Sequence, residues 1–254
     1  FTETTVNLDK IYIIYNGLDN ATIINPYANA GVSITAVGAT VTATATSGIV
    51  NLEYNILGSS TNGSLTLTTD QDVNLVLNNL SLTNANGAPL TIIGGKTTNI
   101  LLTTGTTNTL SDSLSSVKNG TITTDGPIVI NNSGTLSIAG LKKHGINTSS
   151  SISILNGTIA ITAAASDGLH SEGFVMSGGN LTISSTSDGI DAGDSAILIS
   201  GGTINVTSVS ADVKAIKTGN NTITINSGTF NLNVSGNASK AISAKGIITL
   251  NGGT

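Results

Sequence analysis

Ser133-Gly134-Thr135-Leu136-Ser137-Ile138 is the first of five copies of one six-residue phrase. The others read Asn156-Gly157-Thr158-Ile159-Ala160-Ile161, Gly178-Gly179-Asn180-Leu181-Thr182-Ile183, Gly201-Gly202-Thr203-Ile204-Asn205-Val206 and Ser227-Gly228-Thr229-Phe230-Asn231-Leu232, and a sixth begins at Gly252-Gly253-Thr254. Glycine positions 134, 157, 179, 202, 228 and 253 are 23, 22, 23, 26 and 25 residues apart. That is the period of a solenoid coil.

Two more anchors recur inside each period. A corner reads His144-Gly145-Ile146, Asp167-Gly168-Leu169, Asp188-Gly189-Ile190, Lys214-Ala215-Ile216 and Lys240-Ala241-Ile242. An alternating apolar pair follows: Ile152 and Ile154, Ile197 and Ile199, Ile223 and Ile225, Ile248 and Leu250. Alternation of apolar with small polar residues marks half-buried strands, and Gly, Asn and Ser supply the turns between them. Three strands per coil predict an all-β fold, a right-handed single-stranded parallel β-helix. At roughly 23 residues per coil, 254 residues hold at most about 11 coils, a rod on the order of 50 Å long at ~4.8 Å per rung.

Composition agrees. Only 9% of residues are charged, and no run has the i, i+3, i+4 spacing of a long amphipathic helix. The early sequence is less regular, although residues 11–15 and the Thr/Val/Ala alternation of residues 40–46 look like strands. Residues 1–60 are therefore assigned to an irregular N-terminal cap with the first coils, and residues 61–254 to regular rungs of the same continuous domain; a solenoid needs such a cap over its first open edge. The sequence stops inside the sixth copy, so the natural protein is expected to continue beyond Thr254.

A net charge of −5 with nine lysines and no arginine argues against a nucleic-acid partner. No stretch of about 20 apolar residues is present to span a membrane. The absence of cysteine fits an extracellular or cell-surface bacterial protein that uses no disulfides.

Asp188-Gly189-Ile190-Asp191-Ala192 followed by Ile199-Ser200-Gly201-Gly202-Thr203-Ile204-Asn205-Val206 resembles a family of secreted bacterial β-helix proteins known as carbohydrate-binding domains, which are similar in shape to pectate lyases. Residues 73–92 and 105–112 also look like that family, so the resemblance covers roughly residues 60–254. It implies calcium-assisted binding of plant cell-wall polysaccharide without an established catalytic role. The expected partner is a polysaccharide such as polygalacturonate or cellulose, and the expected state a monomer.

Stacking gives the corner a chemical meaning. One column runs His144, Asp167, Asp188, Lys214, Lys240, and a second, three residues on, runs Asn147, His170, Asp191, Lys217, Ser243. Residues 167–194 hold five acids (Asp167, Glu172, Asp188, Asp191 and Asp194) and no lysine. Carboxylates brought together repel unless a cation intervenes, and Ca²⁺ takes several oxygen ligands. The expected metal site centres on Asp167, Asp188 and Asp191, with Asp194 or Glu172 contributing. The competing reading pairs Asp188 and Asp191 with Lys214 and Lys217 of the next rung.

The two histidines lie in different columns without a third His or Cys, so a zinc site would need carboxylates, and both are expected to be solvent-facing. A lyase would need a base near the sugar, for which Lys214, Lys217 and Lys240 are candidates; a hydrolase would need an Asp pair. Neither role is assigned to a residue, and a surface adhesin or spacer is the third reading. The tyrosines (Tyr12, Tyr15, Tyr27, Tyr54) are expected to pack the cap, and Phe174, Met176 and Phe230 the core.

Overall fold

The computed structural model describes residues 9–17, 19–45 and 51–254. Residues 1–8, 18 and 46–50 of the expected cap, and with them the end of the 40–46 alternation, lie outside the described residues. The described chain is a parallel β-solenoid with no α-helix, its single helical turn being the 3-10 segment Ala28–Ala30.

Three stacks of strands build it. The corner stack is a ladder of nine parallel strands among the described residues, from Thr40–Ala45 to Lys240–Ser243. A second stack runs from Thr98–Leu102 through Phe174–Met176 to Ile248–Leu250. The third carries the repeated phrase, from Thr107–Ser111 through Thr203–Ser208 to Thr229–Val234. Within it Leu136, Ile159, Leu181, Ile204 and Phe230 stand in one register column. The first four are fully buried, each contributing about 1.5–3 kcal/mol of apolar transfer. Phe174 and Met176 are also fully buried, whereas Phe230 is half-buried against the core.

Early coils replace the second and third strands with one long, bent strand. Val73–Thr83 pairs at its start with Thr98–Leu102 and at its end with Thr107–Ser111. Asn79 turns the chain between the two faces with φ of 51°, one of the residue types that tolerates this left-handed region. The buried Asn108 side chain accepts the Leu80 N–H at 3.0 Å across the bend.

At the N-terminal end, Ile11–Gly17 stacks parallel on Leu52–Ser60 and antiparallel on Ala21–Ile24, while Val32–Val37 lies antiparallel to Thr40–Ala45. Antiparallel strands thus cover the first edges of the parallel stacks. Tyr12, Tyr15 and Tyr54 are buried in this region, and Tyr27 packs half-buried against it.

Glycine at the corner has a steric cause. A Cβ at Gly168 would lie 2.4 Å from Ile183 Cγ2 and 2.7 Å from the Gly189 carbonyl oxygen, one at Gly189 would lie 2.6 Å from Val206 Cγ1, and one at Gly145 2.8 Å from Ile161 Cγ2. The backbone here passes directly over the third stack's aliphatics. The residue before each glycine, His144, Asp167 or Asp188, is thereby fixed at the rim of the core, and all three are buried.

Candidate metal centre

The register places Asn147, His170, Asp191, Lys217 and Ser243 in one column, as the sequence spacing requires. In the other column the Gly145, Gly168 and Gly189 N–H groups donate to the carbonyls of Asp167, Asp188 and Lys214, respectively. The backbone ladder is therefore continuous where the acids sit.

Each of the three central carboxylates uses its oxygens differently. Asp167 Oδ1 accepts the Asp188 N–H at 3.1 Å, Asp188 Oδ1 the Lys214 N–H at 2.7 Å, and Asp191 Oδ1 the Gly193 N–H at 3.1 Å. Main-chain donors thus fix one edge of every carboxylate, leaving the Oδ2 atoms for other partners. Ligand atoms of Asp167, Asp188 and Asp191 lie within 4.8 Å of one another, and all three residues are buried.

The local cation is Lys217. Its Nζ lies 2.9 Å from both Asp188 Oδ2 and Asp191 Oδ2. Burial lowers the ammonium's pKa, but hydrogen bonds and charge from the two carboxylates more than reverse this, so Lys217 is held protonated. Lys214 does not share the clamp through its ammonium, which binds the Asp212 carbonyl at 2.6 Å and carboxylate at 2.8 Å. Only its backbone N–H reaches Asp188. Of the two lysine partners weighed from sequence, one makes the ion pairs.

Asp194 and Glu172 are not drawn into the cluster. Asp194 is exposed, and its Oδ1 accepts the Asn220 N–H at 2.9 Å and side-chain amide at 3.1 Å. Glu172 is exposed, with its carboxylate over Gly193, where a Cβ would fall 2.4 Å from Oε2. It borders the cluster across that glycine.

The histidines correct the sequence reading. His144 is buried at 2% exposure instead of facing solvent, because His170 of the next coil stacks on it with ring centroids 4.5 Å apart and planes 17° from parallel. His170 is partly exposed, and its Nδ1 hydrogen-bonds Asp167 Oδ2 at 3.1 Å. Spacing within each column could not reveal this diagonal contact between columns.

Burial pushes the His144 imidazole down to about 4, against the opposing pull of Asp167, while its hydrogen bond to Asp167 raises His170. Burial raises the Asp167 carboxyl, but hydrogen bonds from His170 and Ser187 bring it below its ordinary value. The two rings give linkage of opposite sign in different windows. His170, raised in the fold, adds stability as pH falls through its folded pKa to 6.5. His144, depressed in the fold, withdraws stability as pH falls from 6.5 to about 4, because there the unfolded chain takes up the proton first. Melting temperature is thus expected to show His170→Gln losing the gain above pH 6.5 and His144→Leu losing the decline below it. Identical pH profiles for both variants and wild type would remove this assignment.

Three comparisons bear on this fold. None of the curated proteins matches the sequence. Among solved structures, the chain is similar to the polysaccharide lyase-like protein from C. thermocellum, determined as a gadolinium derivative. The TM-score is 0.82 at 23% identity, covering 96% of this chain and 99% of that one. The likeness establishes a shared solenoid architecture. The family model described as carbohydrate-binding domain-containing protein matches residues 32–254, which include every strand of the corner stack and the whole acidic cluster, and the chain belongs to that carbohydrate-binding family.

Proposed function

We propose that this protein binds an acidic plant cell-wall polysaccharide of the polygalacturonate type, outside the bacterial cell or on its surface, through calcium held at Asp167, Asp188 and Asp191. Family membership supports carbohydrate as the partner. The observation that carries the ionic part is the convergence of these carboxylates, each with Oδ1 tied to a main-chain N–H. An oxygen-only, pre-oriented carboxylate set suits a hard cation. Water and sugar carboxylates would complete its coordination, and the ion would join two sets of like charges that otherwise repel.

The fit has one condition. Lys217 Nζ now pairs with both Asp188 and Asp191, offsetting one of their two charges, so calcium must displace it, and its side chain, 34% exposed, has solvent into which to swing. Asn ladders supply neutral hydrogen-bonding groups along the rod, as where Asn251 Nδ2 donates to Asn226 Oδ1 at 2.8 Å and Asn99 Nδ2 to Asn74 Oδ1 at 3.0 Å.

Cleavage of the bound polymer is not part of the proposal. A lysine base must be able to lose its proton, whereas two carboxylates hold Lys217 protonated.

Retention on polygalacturonate in millimolar calcium is expected to fall at least about tenfold on chelation, and equally in the double variant Asp188→Asn with Asp191→Asn. Neutral glucan such as cellulose should bind more weakly and ignore the chelator. Retention of polygalacturonate unaffected by chelator would overturn the bridge. Release of unsaturated products that Lys214→Ala abolishes would instead establish a lyase.

A further inference from the structure

The other half of the corner has a different donor set. His144, Asp167 and His170 bring ligand atoms within 4.8 Å of one another. Nδ1 of His144 and Nδ1 of His170 lie 3.3 Å and 3.1 Å from the same oxygen, Asp167 Oδ2. A tetrahedral ion with bonds of about 2.0–2.1 Å separates its ligand atoms by roughly 3.3 Å. Both measured edges are close to that length, and a turn of the partly exposed His170 ring out of its stack on His144 brings both Nδ1 lone pairs toward one ion, which replaces the proton of the His170–Asp167 hydrogen bond.

A second observation comes from His144 itself. It is buried, and neither of its ring nitrogens has a hydrogen-bond partner, although Nδ1 faces Asp167 Oδ2. Buried polar atoms without partners are rare in folded proteins and carry a desolvation cost. A metal on Nδ1 satisfies one of these atoms without requiring an N–H.

Charge points the same way. Asp167, Asp188, Asp191 and Lys217 lie together, and with neutral imidazoles they sum to −2. A divalent cation cancels that sum. Imidazole together with carboxylate selects zinc, cobalt, nickel or copper over calcium or magnesium. The His170 side chain is 39% exposed, which leaves a path from solvent, and Asp191 Oδ2, 3.8 Å from His170 Nδ1, stands within reach as a fourth ligand.

We propose that His144, His170 and Asp167 form a binding site for a divalent transition metal ion of the zinc class, next to the oxygen-only calcium site and sharing Asp167 with it. This inference does not depend on glycan binding or on calcium occupying its own site. The two sites compete for Asp167, so a transition metal on the histidine side alters the carboxylate set offered to calcium.

Cobalt(II) is the direct probe, because its visible d–d bands report nitrogen ligation and low coordination number. Metal-stripped protein titrated with Co²⁺ in the absence of calcium and glycan is expected to develop these bands, and Zn²⁺ to bleach them at one equivalent. His170→Gln, at a partly exposed position, should weaken Co²⁺ and Zn²⁺ binding at least tenfold while leaving the β-sheet circular dichroism unchanged. His144→Leu should do the same, and if it fails to fold, His170→Gln alone carries the result. Calcium in large excess should leave the Co²⁺ bands in place or weaken them only in part. The proposal fails if no bands appear, if they survive His170→Gln unchanged, or if zinc binding is weaker than millimolar.

Discussion

Ile204→Asp is expected to destabilise the protein by at least about 4 kcal/mol. Ile204 is fully buried and packs between Leu181 of the preceding coil and Phe230 of the following one. The substitution removes an aliphatic side chain, for which deletion in cores costs about 2–5 kcal/mol. It also places a carboxylate where neighbouring coils offer only aliphatic and aromatic side chains. Leu198→Asp is the control: residue 198 lies on the outward side of Ile197–Ile199 at 39% exposure, and changes at such sites stay within about 0.5 kcal/mol. Unfolding free energies of the two variants from denaturant melts should therefore differ by several kcal/mol, with correspondingly separated midpoints. Equal midpoints would mean that the third stack does not face inward. Because each coil touches only its neighbours, damage at a central rung is also expected to divide the unfolding transition into two.

The sequence was most legible where neighbouring coils hold the same position in register. Gly134, Gly157, Gly179, Gly202 and Gly228 mark one turn, and the residues after them pair column by column as the phrase predicts. His144, Asp167 and Asp188 were readable as one column for the same reason: each precedes a glycine that the core forces to lack a side chain. The first 60 residues were harder because antiparallel pairing there breaks the period. Val32–Val37 folds back on Thr40–Ala45, and the long strand Leu52–Ser60 merges two faces in one element, as Val73–Thr83 does beyond residue 60.

Within the site, the column told which residues are neighbours but not where their side chains end. Asp194 turned to the Asn220 backbone, Lys214 to Asp212, and His170 crossed to the other column to cover His144. These outcomes depend on side-chain reach and local donors, which a period of 22 to 26 residues does not encode. Asp112, noticed only as part of a resembling stretch, is buried and accepts the Leu141 N–H at 2.6 Å and the Lys142 N–H at 3.3 Å. It uses an acid as a structural acceptor two coils before acids gather at the corner.

Lys217→Met should expose the tension in that corner. In chelator the variant leaves Asp188 Oδ2 and Asp191 Oδ2 without the ammonium now 2.9 Å from each. Removing one member of a buried ion pair costs about 3–5 kcal/mol; the one-third exposure of Lys217 places the expected loss near the lower end, at about 3 kcal/mol. Methionine keeps most of the aliphatic stem's packing, so the loss reports charge. Calcium should then act more strongly on the variant than on wild type, because it no longer has to displace a tethered cation: ion binding that favours the folded state raises stability by RT ln(1 + [L]/Kd), and the variant's Kd should be lower. The measurement is melting temperature in chelator and in millimolar calcium for both proteins. The expected result is a variant that melts lower in chelator and recovers most of the difference in calcium. Recovery absent from the variant would show that the carboxylates are built for lysine alone. A variant as stable as wild type in chelator would show instead that Asp188 and Asp191 are solvated well enough to need neither cation.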